Sequence, residues 1–206
     1  MARRAAAGAP KAAKKSSQQR LFEEAVQLFN KQGYVGTSIR DLAAAVGILP
    51  GSVYAHIDGK YTLLVQLVER GVDEYLAATS DLAGTAEQQL RGLIDAHVNV
   101  IAANIDLALV VFHQWRHIEG ADRQRIMGKR RQYEQRIRGI VDLGVENGEF
   151  RPDIDRRVAV LAILGNLNWC PEWFSPVGRD PAATVSKGLA EIILAGVRRG
   201  SPTEIT

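Results

Sequence analysis

The 206 residues include a single cysteine, Cys170, so no disulfide can form within the chain. No apolar run approaches the roughly 18–20 residues that a membrane-spanning helix needs. The first twenty residues, MARRAAAGAPKAAKKSSQQR, contain no apolar core of a secretory signal. These absences predict a cytoplasmic protein with no membrane association. No segment alternates apolar and polar residues as a half-buried strand does, and no internal repeat is present, which leaves an all-α chain. Nor do a nucleophile and its base, or three metal ligands, occur at workable spacing. Enzymatic function, a resident cofactor and a metal site are therefore not expected.

What is present is an uneven charge. Residues 1–60 carry nine Lys/Arg and four Asp/Glu, a net of +5, whereas the remaining 146 carry 17 against 19, a net of −2. A basic head on a slightly acidic body points to an anionic partner for the head. Residues 1–16, rich in Ala, Lys and Arg and without apolar periodicity, read as a disordered basic arm. Arg3, Arg4, Lys11, Lys14 and Lys15 either add attraction to a nucleic acid backbone or are simply solvated.

About nine helices are predicted. Ser16 or Ser17 caps the first, whose stripe Leu21, Phe22, Ala25, Leu28 and Phe29 stops at Gly33. Thr37 or Ser38 caps a short second helix, with Ile39, Leu42, Ala43 and Val46 inward and Gly47 as its stop. After Pro50-Gly51 a brief third helix is expected, then a longer one from Lys60. Beyond Gly84 lie an amphipathic helix through Leu90 and Ile101, a buried apolar one at Leu107–Phe112, and a long one ending at Asn147-Gly148. Two more are expected at about 155–170 and 181–197.

Two short helices around a glycine turn outline a helix-turn-helix. Pro50 suits the first helical position, where its missing N–H costs nothing. Gly51-Ser52 leaves the helix start open to phosphates and bases. Val53 and Ile57 face inward, leaving Ser52, Tyr54, Ala55 and His56 for the groove.

The segment GYVGTSIRDLAAAVGILPGSVYAHIDGKYTLL resembles the DNA-binding domain of TetR-family transcriptional repressors. The shared pattern is an aromatic after Gly33, then Thr37-Ser38, Asp41–Ala43, Gly47, Gly51, Tyr54, His56, Gly59-Lys60 and Leu63-Leu64. The resemblance implies phosphate contacts from Thr37, Tyr54 and Lys60. It implies base contacts near Pro50, Gly51, Ser52 and His56, with Ser38 in the same DNA-binding set. Three residues depart from the pattern: Leu49 stands where Ser or Thr caps the recognition helix, Ile57 replaces Phe, and Tyr61 replaces Glu. Losing the cap costs roughly 1 kcal/mol of helix stability.

The domain division expected is an arm at 1–16, a helix-turn-helix domain at 17–62, and a ligand-binding and dimerisation domain at 63–206. For the ligand pocket the candidates are His97, Phe112, His113, Trp115, Arg116, Met127, Arg130, Tyr133 and Trp169. His113 and His117 are four apart, a metal-compatible spacing, but Gln114 occupies the general-base position of HExxH.

The stretch GEFRPDIDRRVAVLAILGNLNWCPEWFSPVG resembles a TetR subgroup that senses acyl-CoA thioesters from fatty-acid or sterol-ring breakdown. Regulators of drug efflux, which bind hydrophobic drugs or dyes, share parts of that pattern. A CoA thioester calls for cations at the pocket mouth, for which Arg116, Arg123, Arg125, Arg130 and Arg131 are candidates. The resemblance also implies a homodimer packed through its last two helices, with Leu161, Leu164, Trp173, Phe174, Leu189, Ile192 and Ile193 as interface candidates. The function so implied is a repressor released from a palindromic operator by a small molecule. An all-α enzyme and a ligand-free nucleoid protein are the other classes to be distinguished.

Overall fold

A computed structural model describes residues 16–199. The expected basic arm, with Arg3 to Lys15, lies outside the described residues. Among those described there are nine α-helices and no strand beyond one isolated bridge between Phe150 and Arg198. Among the described residues no single helix is long and apolar enough to cross a membrane.

Local signals set the helix ends in the head. Helix α1 (Ser17–Gly36) starts at Ser16, whose hydroxyl accepts from the Gln19 N–H while the Gln19 side chain accepts from the Ser16 N–H. Regular helix breaks at Gly33, where φ is 75°. Helix α2 (Ile39–Val46) has the same reciprocal box between Ser38 and Asp41, and Gly47 closes it at φ 74°. Both hydrogen bonds from Ser38 hold the Asp41 carboxylate below its usual pKa. Helix α3 (Pro50–Val53) is only four residues long, with Pro50 first and no side-chain cap from Leu49.

The body comprises α4 (Lys60–Ala78), α5 (Ala86–Ala103), α6 (Ile105–His113), a 3-10 turn (Gln114–His117), α7 (Gly120–Glu146), α8 (Arg156–Trp173) and α9 (Ala182–Val197). Helix α8 runs past the expected end near residue 170, because Pro171 falls in its last turn and is buried. There the missing N–H removes a single helical bond.

Two hydrophobic cores form. The first gathers Leu21, Phe29, Leu42 and Val53 of the head with Leu63, Leu64, Leu67 and Val68 of α4. It also takes in Leu107, Val110 and Val111 of α6. The division expected after residue 62 therefore falls within α4, whose first turns complete the head's core. The second core packs α5, α7, α8 and α9 around Leu93, Ile94, Ile137, Val160 and Leu194. Helix α6 lies between the two. Its Val111 face closes on α4 at Gly71, where an added Cβ would stand 2.3 Å from the Val111 Cγ2 methyl.

Candidate nucleic-acid interface and ligand cavity

On the head, Gly51, Ser52, Tyr54 and Pro50 are exposed and His56 is half-buried, while Val53 and Ile57 fill the core as the pattern requires. Leu49 is 76% exposed, so an apolar side chain stands bare beside the recognition helix.

The hydroxyl of Thr37 is buried and donates to the Gly33 carbonyl at 2.8 Å. The hydroxyl expected at a phosphate thus faces inward and is engaged by the Gly33 carbonyl. Lys60 is similarly committed: its Nζ donates to the carbonyls of Tyr34 (2.8 Å) and Thr37 (2.7 Å) and lies 4.3 Å from the Tyr34 ring centre. It ties the start of α4 to the turn between α1 and α2, so the charge expected at a phosphate is engaged by two carbonyls in the head itself. Ser38 contributes through its capping box.

In the body, a cavity of about 190 Å³ opens between α4, α5, α6, α7 and α8. Five of the nine ligand candidates line it: His97, Phe112, Met127, Arg130 and Tyr133. Sequence reasoning missed Tyr75, Leu164, Glu134 and Asn168, which also line it. Tyr75 shares an apolar stripe with Leu64, Leu67, Val68, Val72 and Leu76 on the helix from Lys60, and no local signal sets it apart. The other four candidates lie elsewhere. His113 Nε2 pairs with the Glu172 carboxylate at 2.5 Å, and the Arg116 Nε donates to the His113 carbonyl. Trp115 is stacked under Arg123 and Arg130, and Trp169 is 64% exposed on α8. His117 leaves the helical frame for the 3-10 turn and packs on Tyr34, with ring centres 5.4 Å apart. It and His113 thus serve separate contacts. Among the described residues no group of three His, Cys, Asp or Glu could hold a metal.

The inner wall is an aromatic cluster. The rings of Tyr75 and His97 lie 4.4 Å apart, and His97 Nδ1 is 2.7 Å from the Tyr133 hydroxyl. Burial pushes the His97 pKa down to about 3 against a smaller opposing pull from the Leu167 carbonyl. The imidazole is thus neutral at physiological pH. Burial also raises the phenol pKa of Tyr75 and Tyr133. At the rim, Arg130 donates to the Val111 carbonyl at 3.2 Å and stacks on Phe112 and Trp115. Burial lowers its pKa, but a guanidinium stays charged. Arg131 is exposed beside it. The arginine cluster expected for a CoA group is thinner than the sequence suggested. Arg125 is bound to Glu69 and Asp122, and Arg123 covers Trp115.

The interface candidates also divide. Leu161, Trp173 and Ile192 are exposed on α8 and α9, and Leu189 is half-buried. Phe174 and Ile193 belong to the protomer's own core, and Leu164 faces the cavity. Those three, expected at the dimer interface, face inward in the protomer, carried there by the turn after α8 and the helical register.

Comparison with known proteins places this geometry. Residues 21–67 match the family described as bacterial regulatory proteins, tetR family, and residues 83–197 match the tetracyclin repressor-like C-terminal domain. The transcriptional repressor KstR2 of Rhodococcus jostii is 26% identical over 182 residues, covering 86% of this chain and 89% of that protein. The crystal structure of the TetR-family regulator PfmR from Thermus thermophilus superposes with a TM-score of 0.80 at 30% identity. That match covers 87% of this chain and 100% of PfmR. AibR, solved in complex with isovaleryl coenzyme A and operator DNA, shares the fold at a TM-score of 0.76 and 23% identity, over 86% and 97% of the two chains. The chain belongs to the TetR family of bacterial transcriptional regulators, a family of DNA-binding proteins rather than enzymes.

Proposed function

We propose that this protein is a homodimeric repressor, released from a palindromic operator by an acyl-CoA or a related lipid or sterol catabolite. The observation that carries the ligand class is the cavity itself: an aromatic, largely apolar interior with Arg130 and Arg131 at its rim. Such a site suits an amphipathic ligand with an apolar end and an anionic remainder. The complex of AibR with isovaleryl coenzyme A is in keeping with this reading.

A second copy of the chain would cover the exposed apolar side chains of α8 and α9, namely Val158, Leu161, Trp169, Trp173 and Ile192. Two heads then enter successive major grooves about 34–36 Å apart. Ser52, Tyr54 and His56 face the DNA, and the recognition helix holds no Arg, Asn or Gln for bidentate base pairing. Phosphate contacts and DNA shape therefore carry much of the affinity.

Helix α6 is the joint between cavity and head. Its Phe112 lines the cavity, and the turn after it reaches the head where the Gln114 side chain accepts from the Tyr34 N–H at 3.1 Å. A ligand releases the operator only by its differential affinity for the two arrangements.

The test is thermal-shift and operator-release titration with acyl-CoAs, the corresponding free acids and cationic dyes. Stabilisation and release by thioesters are expected. Stabilisation by dyes alone would overturn the ligand assignment and leave the repressor reading in place.

A further inference from the structure

Two buried polar atoms make no full hydrogen bond to the protein's own described groups: the Tyr75 hydroxyl, and His97 Nε2, although the Leu167 carbonyl lies close enough to the imidazole to oppose the burial shift of its pKa. Both belong to side chains that line the cavity, and both residues are at least 95% buried. Their rings are adjacent. An unsatisfied buried polar group costs roughly 1–3 kcal/mol, so a pair side by side needs a reason. A purely hydrocarbon-binding site would be better served by Phe at both positions.

The pair is adaptable. When the Tyr133 hydroxyl donates to His97 Nδ1, Nε2 carries the proton and is a donor; in the opposite tautomer Nε2 accepts. The Tyr75 hydroxyl can also do either. Burial keeps the imidazole and both phenols uncharged. Arg130 stands at the rim with one N–H already given to the Val111 carbonyl, and Glu134 adds a carboxylate to the lining, so no free cation meets the inner end. The inner end is therefore suited to a neutral oxygen, not to a carboxylate. Its volume, about 190 Å³, limits the group further. A cavity of about 150 Å³ holds a benzene ring, so this one takes a compact ring or short branched chain rather than a long alkyl tail.

We infer that the cavity selects a compact acyl group bearing a ketone or hydroxyl at its inner end, held by Tyr75 and His97. This rests on the cavity being the effector site and deepens that reading by naming the ligand's buried end.

Two ligand pairs, measured by calorimetric titration, test it: 4-oxocyclohexanecarbonyl-CoA against cyclohexanecarbonyl-CoA, and 1-indanone against indane. The wild type is expected to favour the ketone at least about tenfold in each pair that binds, as one extra hydrogen bond to a buried group implies. Tyr75→Phe is expected to keep or raise the melting temperature, since it removes an unsatisfied hydroxyl. It should bring the ketone preference close to one. His97→Phe gives an independent second reading, because it removes the neighbouring polar atom. Equal binding of ketone and hydrocarbon overturns the proposal. So does a preference untouched by both variants, which would assign the two atoms to ordered water, and so does failure of both ketones to bind. If indanone binds selectively and neither thioester binds, the acyl-CoA reading fails while recognition of a buried ketone or hydroxyl by Tyr75 and His97 stands.

Discussion

Tyr61 and Glu119 exchange two hydrogen bonds: the phenol donates to the Glu119 carbonyl at 3.2 Å and accepts from its N–H at 3.3 Å. Tyr61 lies in the first turn of α4, and Glu119 is the residue from which α7 starts, so the pair links the head's last wall to the body's longest helix. The link is on the surface, where water can replace either bond.

Tyr61→Phe is therefore expected to lower global stability by less than about 1 kcal/mol. The head should respond more than the body. Native-state hydrogen exchange would show α1 to α3 losing protection up to about fivefold, with α5 and α9 unchanged. Equal loss in both regions would show that the pair serves general stability instead.

Lys60→Met strips two charge-assisted hydrogen bonds from the carbonyls of Tyr34 and Thr37. A loss of about 2 kcal/mol in urea unfolding is expected. The salt dependence of operator binding should not change, because Lys60 is not counted among the phosphate contacts. A slope lower by about 0.9 would restore it to that role.

Charge on the described part of the head is balanced. Of the nine basic residues in 1–60, five (Arg3, Arg4, Lys11, Lys14, Lys15) precede residue 16, leaving four against four acidic ones. Deleting residues 1–15 is expected to flatten the log–log salt slope of operator binding and leave the melting temperature within a few degrees. An unchanged slope would make the arm a solvated tail.

Leu49→Ser restores an oxygen at a position whose backbone, at φ −71° and ψ 147°, already has cap geometry. A gain of roughly 1 kcal/mol in head stability and tighter operator binding are expected, read by thermal melting and fluorescence anisotropy. Stability without tighter binding would show that the loose helix carries no affinity cost.

His97 gives the fold a pH dependence with a definite sign. Its folded pKa of about 3 lies below the ordinary value of 6.5, so in between the unfolded chain binds a proton that the native one does not. Stability is full above pH 6.5 and falls as pH drops through that window. Between pH 6.5 and 5 the loss amounts to roughly 2 kcal/mol. His97→Phe should flatten that part of the stability–pH curve, whereas the lowered carboxylates, such as Glu69 and Glu87, act only at lower pH.

The head was legible because its signals are local. Ser38 and Asp41 lie three residues apart, Gly47 and Gly33 need positive φ, and Pro50 fits only a helix start. The cavity was half legible. His97 and Tyr133 stood out as polar residues on apolar faces. Tyr75 did not, since a tyrosine in an apolar stripe is usually core. The arginines misled, because their count on α7 does not reveal that Arg125 is taken by Glu69 from a helix 56 residues earlier.

The sequence by itself determined the helices, the uncapped start of the recognition helix and the basic excess of the arm, because each is fixed by residues within a turn or two of one another. Only the tertiary structure decided how the side chains are used. Packing α4 against the α1–α2 turn buried Thr37 and committed Lys60 to carbonyls. Packing α4, α5 and α7 brought Tyr75, His97 and Tyr133 together and left two polar atoms without a full hydrogen bond, a relationship that depends on contacts between helices distant in the chain.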